Sequence, residues 1–224
     1  FRCAKLSTLN IKDIKILENL NPFAIIDFRD PKEVKMAPDN LSPKLLEKYI
    51  NLPISASTLS RMVSQKQING DNIKSYEEVM EESYRMYIND HKKVWIKFFE
   101  ILLRSNKRPI IFHCSAGKDR TGIASFMIQS IFNNHIDKIF ENYLISNDLL
   151  TIKAATAEQK TNSSKQDTQV TKNMLSTLGK VQTSYLNAAI DEIEKKYSSL
   201  ENYFISQLGL KHNDIQKIKQ IFGN

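Results

Sequence analysis

The stretch Ile110-Ile111-Phe112-His113-Cys114-Ser115-Ala116-Gly117-Lys118-Asp119-Arg120-Thr121-Gly122 decides how this chain is read. Pro109 opens a run of β character, so Ile110 to Phe112 reads as a buried strand, and Ile123 to Phe132 reads as an apolar helix. Arg120 follows Cys114 by six residues. A connection of that length can curl so that successive N–H groups point at one anion. The helix beyond it adds unpaired amides and the positive end of its dipole. The same field acts on the thiol. A cysteine at a helix N-terminus beside a guanidinium can fall from a pKa of ~8.5 to about 3.5–7.5, which makes it a nucleophile with no need of a separate base. Arg120 offers a planar fork to two oxygens of a phosphoryl group, where a transition state spreads negative charge.

The neighbours have readable jobs. Gly117 permits a turn that a side chain would obstruct, and Gly122 lets the helix pack closely against the sheet. Thr121 is placed to donate its hydroxyl to the sulfur, His113 to fix the loop by bonding backbone, and Lys118 to add a second cation at the mouth. Ser115 and Ala116 complete the candidate anion-binding set. A lone strand-end cysteine is more often a small buried apolar side chain than a nucleophile; the composition of His113 to Gly122 as a block reverses that expectation. A Walker A loop is excluded. Lys118 does follow Gly117, but Asp119 stands where Ser or Thr is needed and Phe112 where the first Gly belongs.

Outward from the loop, the chain reads as a short α/β segment followed by helices. Thr8 or Asn10 caps a helix to about Leu20, with Leu9, Ile14, Ile16, Leu17 and Leu20 on its apolar side. Phe23 to Phe28 and Tyr49 to Ile54 read as strands, separated by a charged loop with one helical turn and a helical piece near Pro43 to Lys48. Ser55 to Ser75 is long for a connection and suits a lid or binding loop. Ser75 with Glu78 forms a capping box for a helix from Tyr76 to about Ile88. His91 to Arg104 buries Val94, Trp95, Phe98, Phe99, Leu102 and Leu103. After Ile136 everything looks helical: a short helix capped by Asp137, a polar stretch from Thr156 to Asn173, and a face of Val181, Tyr185, Ala189, Ile193 and Tyr197 at i+4. A last helix is capped by Asn213.

The 224 residues carry a net charge of +7 and 41% hydrophobic residues. That composition excludes disorder over the whole length, and no apolar run approaches the ~18 residues of a spanning helix. The basic balance fits an anionic partner. The lysines are scattered over amphipathic faces without interleaved aromatics, which speaks against nucleic acid. The two cysteines, Cys3 and Cys114, match no disulfide framework and no zinc spacing. The sequence begins at Phe1 without a Met and reads as a trimmed or processed chain.

His113 to Gly122 resembles the signature loop of the cysteine-dependent protein tyrosine phosphatases, in the version of their atypical bacterial group. Flanking pieces are similar too: Phe1-Arg2-Cys3-Ala4, Ile26-Asp27-Phe28-Arg29 with Glu33, Asn142-Tyr143-Leu144-Ile145-Ser146-Asn147, and the turn Tyr197 to Tyr203. The resemblance implies a tyrosine phosphatase-like α/β fold, with a central mostly parallel sheet flanked by helices and a helix-rich C-terminal half. Residues 1–224 would form one catalytic domain lacking an N-terminal portion, because the family's usual Asn-Phe-Arg-Asp start is absent. It implies hydrolysis of phosphotyrosine in proteins, and of phosphoinositides as well, through a cysteinyl-phosphate and without metal or cofactor. Cys114 and Arg120 would be catalytic. Classical tyrosine phosphatases take the leaving-group proton from an Asp on a Trp-Pro-Asp loop, but the only tryptophan is Trp95 in Val94-Trp95-Ile96. Asp119, already in the loop beside the arginine, is the candidate acid, against the alternative of a structural partner for a nearby cation or backbone amide. Asp27 is the second candidate, against its reading as a strand-end residue that orders Arg29 or the loop. The competing function is an inactive phospho-ligand binding module. The further expectations are a monomer, cytoplasmic or secreted, with a peroxide-sensitive Cys114 for which Cys3 is a conceivable disulfide partner.

Overall fold

The computed structural model describes residues 1–55, 73–158 and 179–223. Four short strands form one sheet: β1 (Arg2–Cys3), β2 (Ala24–Asp27), β3 (Tyr49–Asn51) and β4 (Ile110–His113). Their order is β1-β4-β2-β3, and every pairing is parallel. β2 and β4 sit in the middle and are buried along their whole length, as parallel strands covered on both faces must be. The expected mostly parallel sheet is thus wholly parallel among the described residues. Arg2–Cys3, too short for a periodicity to register, is one of its two edge strands.

Alternation along the central strands sends side chains to two cores. Ala24, Ile26, Phe28, Ile110, Phe112 and Cys114 join the larger one. Most of that core comes from the helices α4 (Ile73–Asn89), α5 (Lys92–Arg104), α6 (Arg120–Ile131), α7 (Ile136–Glu158), α8 (Thr183–Tyr197), α9 (Leu200–Ser206) and α10 (His212–Phe222). Ile25 and Ile111 face the other way, into a smaller core with Leu6 and Leu45. That face is covered by α1 (Ile11–Leu20) and α3 (Pro43–Leu46). A further short helix, α2 (Pro31–Met36), lies after β2.

Local sequence explains most boundaries. Asn10 caps α1, accepting from the amides of Lys12 and Asp13, and Asn21 ends it in the left-handed region at φ 47°. The apolar side of α1 is narrower than expected: Leu9, Ile14, Leu17 and Leu20 pack inward, while Ile16 is 64% exposed. Trp95, Phe98, Phe99 and Leu102 of α5 are buried as expected, with Val94 and Leu103 packed around them. Tyr185, Ala189 and Ile193 of α8 do the same.

Three caps fall elsewhere. α4 spans Ile73–Asn89, so Ser75 lies inside it and not ahead of its first turn. Asp137 sits within the first turn of a 23-residue helix, not ahead of a short one; its carboxylate favours the dipole there whatever the helix length. α10 starts one residue before Asn213, and the Asp214 carboxylate accepts from the Lys211 amide at 2.9 Å. The interior of the candidate lid from Ser55 to Ser75, and nearly all of the polar stretch Thr156–Asn173, lie outside the described residues. No helix of the described residues is long and apolar enough to cross a membrane.

Candidate active site

β4 ends at His113 in the centre of the sheet and α6 begins at Arg120, so the loop between them lies beyond the C-terminal ends of parallel strands. Open α/β sheets present ligand sites at that edge. Gly117 takes φ +72°, and a Cβ there would stand 2.5 Å from the Cys3 carbonyl oxygen. The turn therefore needs glycine twice over, for its conformation and for its contact with β1. The backbone adds one more tie, from the Lys5 amide to the Ser115 carbonyl at 3.3 Å.

Cys114 is 2% exposed. Arg120 is nearly as buried, and its guanidinium is held by Glu33 in a two-pronged pair: Nη1 donates to Oε2 at 2.6 Å and Nη2 to Oε1 at 2.8 Å. Nη1 also reaches the carbonyls of Phe28 and Ile54 at 3.3 and 3.1 Å. A guanidinium has five N–H bonds. Among the described residues, the Nε hydrogen and one hydrogen of Nη2 are left without an acceptor, and these two form one edge of the fork. Burial alone would raise the Glu33 carboxyl, but Arg120 and Ser115 overrule it and hold it at about 2. The guanidinium is correspondingly held above its ordinary value.

Glu33 also accepts from the Ser115 hydroxyl at 2.6 Å, so that side chain is engaged inside the loop. The source of this carboxylate is local: Asp30 and Glu33 make a capping box at the start of α2, with the Asp30 amide donating to Glu33 Oε2 at 3.0 Å. In the sequence Glu33 figured only as part of a resemblance. The Asp-Pro-x-Glu pattern was the signal that could have placed it on a helix end facing the loop.

Asp119 precedes α6 without capping it. Its Oδ1 accepts from the Tyr84 hydroxyl at 2.9 Å, and its Oδ2 lies 3.4 Å from Lys118 Nζ. Lys118, expected at the mouth, is 6% exposed; its ammonium is held between Asp119 and the Lys180 carbonyl, 3.3 Å away. The Thr121 hydroxyl is buried with no hydrogen-bond partner among the described residues, so the expected bond to the sulfur is not made. The close approach at Gly122 is to the ring of Tyr143 on α7, 3.1 Å from an added Cβ, and not to the sheet. Ala116 and Gly117 line a cleft of about 280 Å³ on the α7 side of the loop.

Beneath the loop, on the α1 face, lies a buried charge cluster. Asp27 accepts from Arg29 Nη2 at 2.7 Å and from the Tyr49 hydroxyl at 2.8 Å. Arg29 also pairs with Asp39 at 2.9 Å. Asp27 thus orders Arg29, as expected of it. His113 Nδ1 donates to the Cys114 carbonyl at 3.3 Å, and its Nε2 faces Asp39 at 3.1 Å. Burial pushes the Asp39 carboxyl up, but His113 and Arg29 prevail and lower it. Asp27, Asp39 and His113 stand close enough to share a cation, yet the Arg29 guanidinium already supplies the positive charge between the carboxylates.

Arg2, unassigned in the sequence, joins three of the resembling segments. Its Nε donates to the Gly117 carbonyl at 2.9 Å, and its Nη atoms reach Asn142 and the Ser146 hydroxyl on α7. Cys3 packs with the smaller core and Cys114 with the larger, so their side chains leave opposite faces of the sheet. Burial pushes the Cys3 thiol up to about 12. A disulfide between them would require turning an edge strand over.

This loop, its buried arginine and the parallel sheet behind it belong to the tyrosine phosphatases. The chain matches the model of a tyrosine phosphatase family over residues 1–223, and it belongs to that family and is a phosphatase. Similar proteins include a provisionally named tyrosine-protein phosphatase of Cupriavidus necator, 23% identical over 203 residues that span 91% of this chain and 71% of the relative. The triple specificity protein phosphatase PtpB of Mycobacterium tuberculosis is 25% identical over 248 aligned residues, covering 99% of this chain and 89% of the relative. The inositol diphosphatase SIW14 of Saccharomyces cerevisiae is 32% identical over 71 residues, 32% of this chain and 25% of that protein.

Proposed function

We propose that residues 1–224 act as one catalytic domain that hydrolyses phosphotyrosine in proteins, and phosphoinositides as a second substrate class, through a cysteinyl-phosphate. The observation that carries the reading is the Arg120 fork. Glu33 and two carbonyls immobilise one edge of it, and the two hydrogens on the other edge remain for two phosphoryl oxygens. A guanidinium fixed in this way needs no reorganisation as charge develops.

In the first step Cys114 Sγ attacks phosphorus, the ester P–O bond breaks, and Asp119 gives its proton to the departing oxygen. In the second, water attacks the cysteinyl-phosphate, Asp119 takes its proton, the S–P bond breaks, and phosphate leaves. The loop amides from Ser115 to Thr121 and the end of the α6 dipole hold the phosphoryl oxygens throughout. His113 keeps the carbonyl side of Cys114 in place, and no step calls for a metal.

The substrate reading leans on relatives named as tyrosine-protein phosphatase, triple specificity protein phosphatase and inositol diphosphatase. Every proposed participant lies in one chain, so a monomer suffices. Cys114→Ser should abolish turnover of p-nitrophenyl phosphate while vanadate still binds. Residual turnover in that variant would remove Cys114 from the mechanism; a wild-type protein that binds vanadate without turnover would be a binding module. Rates on phosphotyrosyl peptides, phosphoseryl peptides and phosphoinositides, measured side by side, assign the substrate class.

A further inference from the structure

Behind Asp119 stand two buried tyrosines whose hydroxyls form a chain toward it. Tyr84 of α4 is fully buried, with its ring against Tyr87, Tyr143 and Tyr185. Its hydroxyl donates to Asp119 Oδ1 at 2.9 Å and lies 2.6 Å from the hydroxyl of Tyr143. A phenol carries a single hydrogen. Tyr84 commits its own to Asp119, so Tyr143 must be the donor in the second bond. The chain therefore runs Tyr143 to Tyr84 to Asp119. Burial and the nearby Asp119 charge push both phenols above their ordinary values, so both stay protonated and serve as donors.

We infer that Tyr84 is a positioning residue for Asp119, fixing which carboxyl oxygen carries the transferred proton. The inference rests on Asp119 being the acid. With Oδ1 tied up as an acceptor, the proton resides on Oδ2. The tie survives both protonation states, because Oδ1 is a carboxylate oxygen in one and the carbonyl oxygen in the other. Asp119 can then give a proton from Oδ2 as the ester bond breaks, and recover one there from the attacking water, without rotating between steps. In the structure Oδ2 faces Lys118 Nζ at 3.4 Å; without the hydroxyl the carboxyl is free to turn and exchange its two oxygens, so neither keeps a fixed role. Orientation of a catalytic group is worth rate only when it holds in the transition state.

A buried tyrosine needs some partner in any case, so the test must separate orientation from packing. Tyr84→Phe keeps the ring and removes only the hydroxyl. Across a series of aryl phosphates, Tyr84→Phe should leave kcat for the most activated ester within about twofold and lower it about tenfold for phenyl phosphate, a fraction of what a general acid supplies. Asp119→Asn should steepen the leaving-group dependence further, with a larger loss on phenyl phosphate. Tyr143→Phe, which spares the bond to Asp119, should keep the wild-type slope. If Asp119→Asn slows all esters equally, the acid reading itself fails. If Asp119→Asn is selective but Tyr84→Phe slows all esters equally, or none, the positioning role is overturned. Should Tyr84→Phe not fold, 3-fluorotyrosine at position 84 strengthens the donated bond and favours the carboxylate. The high-pH limb of the kcat profile for phenyl phosphate should then move to lower pH, and an unmoved limb overturns the inference.

Discussion

Replacing Glu33 by Gln tests how Arg120 is held. The Glu33 carboxyl lies at about 2 against an ordinary 4.5, a difference that corresponds to roughly 3 kcal/mol at ~1.36 kcal/mol per pH unit. Its side chain is 24% exposed and that of Arg120 is 7%, so the pair is largely shielded from water. The glutamine amide has one acceptor and one donor end, and because Arg120 donates to both carboxylate oxygens it would set N–H against N–H at Arg120 in either orientation. A cost of about 3 kcal/mol is in line with breaking a buried pair, which for a domain of this size lowers Tm by roughly 6–12 °C. The acid limb gives a second reading. A depressed carboxyl stabilises the fold above the unfolded-state pKa, and that contribution is lost as pH falls from about 4.5 toward about 2. Urea melts of wild type between pH 6 and 2.5 should therefore lose more stability than those of Glu33→Gln. The kcat/KM for p-nitrophenyl phosphate should fall about tenfold, since the Phe28 and Ile54 carbonyls still restrain Nη1. A variant that melts within a degree or two of wild type, with the same acid-side slope, would refute the assignment of Glu33 as the holder of Arg120.

Gly117→Ala forces an alanine to φ +72° and sets its Cβ 2.5 Å from the Cys3 carbonyl; a loss of roughly 2–5 kcal/mol is expected from strain plus overpacking, read as a lower Tm and lost turnover. Gly122→Ala meets only the edge of the Tyr143 ring at 3.1 Å, so it should cost about 1 kcal/mol and leave most activity. Arg2→Ala removes the bonds to Gly117, Asn142 and Ser146 and should lower kcat/KM about tenfold through a loosened loop. Arg2→Lys should restore little of it, because one ammonium cannot reproduce three directions of donation.

The parts of the site that could be read from the sequence are those close together along the chain. Cys114, Gly117, Asp119 and Arg120 lie within seven residues, so strand, turn and helix could be read as one unit. The partners that complete them are remote: Glu33 stands 87 positions from Arg120, Tyr84 35 from Asp119, and Arg2 115 from Gly117. No periodicity reports such pairings, and Tyr84 fits the apolar face of α4 well enough to pass as ordinary core. The misplaced caps have a different origin. Ser75, Asp137 and Asn213 are all suited to a helix start, but each lies inside a helix, where the adjoining turn formed regardless. The strand alternation was legible at Ile25 and Ile26, yet its consequence for Cys3 needed the register of β1 on β4, which two residues cannot encode.

That register gives Cys114 a particular vulnerability. Within these 224 residues the only other sulfhydryl hangs from the far side of the sheet. A sulfenic acid formed at the proposed nucleophile therefore finds no resolving thiol among these residues. Return to the thiol then needs a reducing thiol from outside these residues, since capture by a neighbouring backbone nitrogen only stores the sulfur at the same oxidation level, and the speed of recovery after an oxidative pulse becomes a property of the surroundings rather than of the fold.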